Sequence, residues 1–147
     1  MLVAIHMNNL LRLIDNKILC LFDSKGNLIR TYKPRWTNFK EAKYIGHDCI
    51  IIKENDEGFT ANSEYANIYC LDDNFHIVWT IKAPFKNDSF PNRIVWNTQS
   101  LRRQKDDGYL TLDFIENLKT FMCSSWHGIT VTVDYYTGQI VATEFTK

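Results

Sequence analysis

The chain has 147 residues, of which 45% are hydrophobic and 14% aromatic, enough for one domain with a sizeable core. Seventeen basic residues balance seventeen acidic ones, so no overall basic field exists to gather nucleic acid, and no acidic tail stands out. No run approaches the roughly 20 apolar residues of a membrane span, and the N-terminus lacks the basic lead and long apolar core of a secretory signal, so the expectation is a soluble, cytoplasmic protein.

In chain order, Leu2 to Met7 is a candidate first strand, and Leu10 to Ile14 reads either as more strand or as a short helical turn. Lys17 to Phe22 is a strand, Asp23-Ser-Lys-Gly26 a turn, and Asn27 to Lys33 the return strand. Cys49 to Lys53 is a strand entered from Gly46-His-Asp48, and the stretch from Glu54 through Glu64 is an acidic loop. The plainest hairpin runs from Asn67 to Lys82: Ile68 to Leu71, the corner Asp72-Asp73-Asn74, and a second apolar run beginning at Phe75. Arg93 to Asn97, Tyr109 to Ile115 and Leu118 to Cys123 are further strand candidates; Thr98 to Lys105, which contains Leu101-Arg-Arg-Gln-Lys, is basic and short enough for one helical turn. Ile129 to Asp134, a turn Tyr135-Tyr-Thr-Gly138, and Gln139 to Phe145 form the last hairpin.

Three of these hairpins are copies of one pattern: apolar strand, Asp, turn, apolar strand. Cys20 and Cys70 stand 50 residues apart in matching positions, and Asp72 and Asp134 stand 62 apart. Periods of this length indicate arrays of small sheets or propeller blades. The expectation is an all-β single domain over residues 1–147, with antiparallel sheets from about three propeller-like repeats, about ten to twelve strands and little helix. The arrangement is an incomplete propeller or is sandwich-like.

The strand Ile-Tyr-Cys-Leu-Asp72, its turn, and the return Ile-Val-Trp79-Thr-Ile resemble blades of quinoprotein-like β-propellers, where an Asp, a Gly-containing turn and a Trp-bearing strand recur. Asp23 with Gly26 and Asp134 with Gly138 match in part, whereas Arg30 and Ala142 stand where Trp79 does. A closed propeller takes about four to eight blades of four strands, and this chain has material for about three. Open sheet edges must then be covered, charged or used. In size and incomplete-repeat character the chain also resembles immunity proteins of bacterial toxin–immunity systems, contact-dependent growth inhibition among them. That resemblance rests on overall character, with no signature motif. It implies a cognate toxin domain as partner, a nuclease in particular, whose active site is blocked without chemistry.

No glycine-rich phosphate loop and no GxSxG are present. His47-Asp48-Cys49 and Cys123-Ser-Ser-Trp-His127 bring reactive side chains close in sequence, yet neither carries a catalytic or metal-site spacing. The Asp pairs are explained by turn chemistry. No catalytic residue, metal site or cofactor is therefore expected, and Cys20, Cys49, Cys70 and Cys123, without a CxxC pair, read as reduced core cysteines. For partner binding the candidates are the acidic residues Glu54, Asp56, Glu57 and Glu64, which would steer toward a cationic nuclease site. With them stand Tyr65, Trp36, Trp96 and Trp126, since Trp and Tyr are enriched among binding hot spots. Two alternatives stand beside this reading. One is a small enzyme or ligand-binding protein using His127, Cys123 or His47. The other is a propeller subunit that completes itself as a homodimer through its open edges. Membrane and direct nucleic-acid partners are not expected.

Overall fold

A computed structural model describes residues 2–6, 9–45, 49–60, 64–96 and 119–145, with the backbone alone for 2–6. Among the described residues, twelve strands form three four-stranded antiparallel sheets, each a simple meander in chain order. Sheet A holds β1 (Leu2–His6), β2 (Asn9–Ile14), β3 (Ile18–Phe22) and β4 (Leu28–Tyr32). Sheet B holds β5 (Phe39–Ile45), β6 (Cys49–Glu54), β7 (Tyr65–Leu71) and β8 (Ile77–Lys82). Sheet C holds β9 (Val95–Trp96), β10 (Thr120–Ser124), β11 (Ile129–Asp134) and β12 (Ile140–Phe145). No helix occurs among the described residues, so Leu10–Ile14 is strand and not a helical turn. The expected strand Tyr109–Ile115, the basic run Leu101–Lys105, and His47 with Asp48 lie outside the described residues.

The repeat read from the sequence is the outer half of each sheet: β3–β4, β7–β8 and β11–β12. The three Asp residues do the same work. Asp23 Oδ1 accepts from the N–H groups of Lys25 and Asn27, Asp72 Oδ1 from Asn74 and His76, and Asp134 Oδ1 from Tyr136 and Thr137. Each carboxylate thus replaces the partners that the backbone loses where it leaves the ladder. One turn residue in each copy takes positive φ and donates its N–H to the Asp carbonyl: Gly26 (83°), Phe75 (62°) and Gly138 (72°). Phe75 tolerates this conformation because its ring is buried against Tyr32, with ring centroids 6.1 Å apart.

Sheet B is the middle layer, and the pleat explains why β6 is buried at all six positions. Successive side chains point to opposite faces. Ile50 and Ile52 join Leu11, Leu13, Leu19 and Leu21 of sheet A, while Cys49 and Ile51 join Phe121, Cys123, Val131 and Val133 of sheet C. Each aromatic ring sealed between two sheets removes about 150–250 Å² from water, worth roughly 4–6 kcal/mol at about 25 cal/mol per Å². All four cysteines are buried and outside any disulfide, Cys20 in sheet A, Cys49 and Cys70 in sheet B, and Cys123 in sheet C. Sheets B and C are keyed together at one point. Trp79 of β8 donates its indole N–H to the Tyr135 carbonyl at 2.8 Å and stacks on Phe121, its ring lying over Gly138 of the next hairpin.

Candidate functional site

Strands of alternating direction put two kinds of loop at the two ends of the sheets. The Asp turns cap one end. The opposite end gathers the crossovers between sheets (residues 33–38 and 83–94), the β6–β7 loop and the tight β10–β11 turn. Most of the residues singled out in the sequence converge there: Trp36, Glu54, Asp56, Glu57, Glu64, Tyr65 and Trp126.

Glu54 corrects the reading of an acidic surface loop. It is the last residue of β6 and fully buried. Its carboxylate accepts from the backbone N–H groups of Arg35 (2.7 Å), Trp36 (2.9 Å) and Thr37 (2.8 Å), and from the Tyr69 hydroxyl. Burial, then the Glu54 charge beside it, push the Tyr69 phenol far above its ordinary value, so it stays a donor. This carboxylate ties the sheet A–B crossover to sheet B and faces no partner. Lys53, its neighbour on the other face, does the same for the B–C crossover. Its ammonium donates to the carbonyls of Asn92 (2.6 Å) and Pro91 (3.4 Å) and pairs with Glu41 at 3.4 Å. Glu41 in turn accepts from the Ile94 N–H. Asn67 completes the framework, donating to Glu54 O and Phe90 O and accepting from Phe90 N.

Besides Trp79, two more of the four tryptophans are structural. Trp96 lies in the B–C interface against Phe121 and Tyr135, with the Lys43 ammonium 5.0 Å from its ring. Trp36 is half-buried, edge-on to Phe59 and Tyr69, with the Arg35 guanidinium 4.3 Å from its ring. Arg35 is itself held by Thr80 Oγ1 at 2.8 Å. Tyr65 is half-buried at the rim of a groove of about 660 Å³ that runs between β8 and the β11–β12 hairpin.

Trp126 differs from these. It is 67% exposed at the tip of the β10–β11 turn, yet its indole N–H reaches Asp56 Oδ2 of the β6–β7 loop at 3.0 Å and its backbone N–H reaches Ser89 O. Beside it His127, 51% exposed, places Nδ1 2.9 Å from Asp88, whose carboxylate is fully buried. The exposed Phe85 packs edge-on to the imidazole with centroids 5.4 Å apart. The second Asp88 oxygen is buried without a hydrogen-bond partner among the described residues. Asp56, Glu57 and Glu64 lie on the loops of the same end. Sequence reasoning weighed Phe85 among the loop aromatics but missed Asp88, because 39 residues separate Asp88 from His127 and only the loop packing joins them.

Cys123 and His127 do not form a pair. Cys123 points from β10 into the B–C core, where burial pushes its thiol far above the ordinary value, while His127 turns to Asp88. Among the described residues no group of three or more His, Cys, Asp or Glu side chains is placed to hold a metal.

No family model matches the chain, and no curated protein sequence matches it. Solved structures do match. BamB from Moraxella catarrhalis, a β-propeller protein, aligns over 96% of this chain with 18% identity and a TM-score of 0.51. The computationally designed Ika8 protein aligns over 99% with 9% identity and a TM-score of 0.58. The chain spans about a third of the length of these structures, 35% of the first and 36% of the second. At such identities the likeness shows the fold alone. The three sheets are propeller-like blades, and the fold is all-β.

Proposed function

We propose that this chain is a protein-binding module that works through its loop end, and that it serves as an immunity protein which covers the active site of a cognate toxin. The observation that carries the reading is Trp126: a large exposed aromatic, fixed in place by Asp56, with Phe85 and His127 beside it. Rigid aromatics of this kind bind at low entropic cost because their geometry is set before the partner arrives. Asp56 holds the anchor, and Glu57 and Glu64 lie on the β6–β7 loop at the same end; these carboxylates suit the cationic substrate site of a nuclease. The expected setting is the cytoplasm, with neither membrane nor nucleic acid as partner. Among the described residues no helix is long and apolar enough to cross a membrane.

Co-expression with the product of the adjacent upstream reading frame tests this reading. The two proteins should co-purify, and cells making that product should survive only when the intact chain is present. Loss of protection with Trp126→Ala, in a protein that still folds, supports the loop end as the interface. Failure of the intact chain to bind or protect removes the reading.

A second reading has one observation in its favour. A buried carboxylate orienting an exposed imidazole, as Asp88 does His127, is the arrangement that positions a base, so an enzyme or ligand-binding protein would use His127. His127→Ala that leaves protection intact counts against it.

A further inference from the structure

Cys49 and Cys70 occupy neighbouring strands of the middle sheet. Ile51 is paired with Cys70 and Ile50 with Leu71, so the two cysteines lie diagonally on one face, in the core shared with sheet C. Their sulfurs are 3.0 Å apart. A disulfide needs about 2.05 Å, so closure asks for a movement of roughly 1 Å on strands that already share a ladder. A cavity of about 300 Å³ touches both cysteines and is lined as well by the exposed Val78 and Tyr136, which gives an oxidant a path to the pair. Cys20 and Cys123 lie on the two other sheets.

We propose that Cys49 and Cys70 form a redox-active dithiol that closes to an intramolecular disulfide. With a small disulfide oxidant such as oxidised glutathione, the thiolate of one cysteine attacks the oxidant's S–S bond. A mixed disulfide forms and one glutathione thiolate leaves. The second cysteine thiolate then attacks the protein sulfur of that mixed disulfide, the Cys49–Cys70 bond forms, and the second glutathione leaves. Two protons and two electrons pass from the protein, and one glutathione disulfide becomes two thiols. The step also touches the joint between sheets. Cys49 donates its S–H to the Tyr135 carbonyl at 3.4 Å, the same oxygen that receives the Trp79 indole N–H. Closure removes the sulfur donor and leaves Trp79 to hold that carbonyl alone.

The test is incubation of the native 147-residue chain in glutathione buffers of rising oxidised fraction. Thiols are then counted in denaturant, and a non-reducing digest is mapped by mass spectrometry. Free thiols should fall from four to two, and a single linked pair of peptides should join Cys49 to Cys70, two hydrogens lighter than the reduced pair. Cys20→Ala/Cys123→Ala should still lose both of its thiols, and Cys49→Ser should form no internal link. The wild-type digest decides the matter even where a variant folds poorly. Retention of four thiols, a link between any other pair, or glutathione adducts that persist without an internal bond would each overturn the proposal.

Discussion

The keying of Trp79 into the next hairpin makes a quantitative prediction at Gly138. A Cβ at this position would stand 2.4–2.6 Å from three ring atoms of Trp79, on a residue whose φ is +72°. Left-handed backbone costs a non-glycine residue about 1–2 kcal/mol, and forcing a methyl into a packed site costs about 1–3 kcal/mol more. Gly138→Ala should therefore lose about 2–5 kcal/mol, a large share of the roughly 5–15 kcal/mol that holds a domain together. Gly26 supplies the control, because its φ is +83° and an added Cβ meets nothing within 4 Å. Gly26→Ala should lose only the backbone part, about 1–2 kcal/mol. Any gain from stiffening the unfolded chain is common to both and cancels in the comparison. Urea midpoints at unchanged slope measure the difference. In a Trp79→Ala background the Gly138 penalty should shrink toward the Gly26 value, since the clash has gone. Equal losses at the two glycines would refute the argument that Trp79 locks sheet B to sheet C.

Other outcomes follow from the same contacts. Lys53→Met should lose about 1–3 kcal/mol in urea, because it removes the buried donor that the part-buried Glu41 and two crossover carbonyls share. Glu54→Gln should lose about 2–4 kcal/mol, since a neutral amide offers its NH₂ to a ring of donors; a smaller loss than that of Asp56→Asn would show that Glu54 does not anchor the crossover. Hydrogen bonds from the Asn27 backbone hold the Asp23 carboxyl below its usual value. A lowered folded-state pKa adds stability above the ordinary carboxylate value, and that stability is lost as pH falls through the folded value. Asp23→Asn should lower stability at neutral pH, change it little below the folded value, and so flatten the acid limb of the stability profile; an unaltered acid limb would contradict the assignment.

What was legible in the sequence was local. Asp, turn and β-branched strand lie within a dozen residues, so β3–β4, β7–β8 and β11–β12 could be read directly, and their repetition pointed to blades. β5 was not legible. Phe-Lys-Glu-Ala-Lys-Tyr-Ile carries three charges, and its pairing with β6, not its composition, makes it a strand. Within the expected strand Arg93–Asn97, Val95–Trp96 forms β9, Arg93 and Ile94 precede it, and Asn97 lies outside the described residues. The site was harder still. Glu54 sits in a run of polar and acidic residues that resembles a solvated loop, and only the return of residues 35–37 onto β6 turns it into an interior anchor. Four apolar residues followed by Lys53 were the available signal that β6 continues through the interior. Trp96 and Trp126 are indistinguishable by type, yet one fills an interface and the other stands in solvent. That difference depends on partners 25 or more residues away, Phe121 for one and Asp56 for the other.

The most direct measurement of the proposed function is a calorimetric titration of the purified chain with the product of the adjacent upstream reading frame, run beside Trp126→Ala and Gly26→Ala. The account predicts a 1:1 complex that Gly26→Ala retains and that Trp126→Ala weakens by about 2 kcal/mol or more, while thermal unfolding shows both variants folded. No complex with the intact chain, or equal affinity with Trp126→Ala, would contradict it.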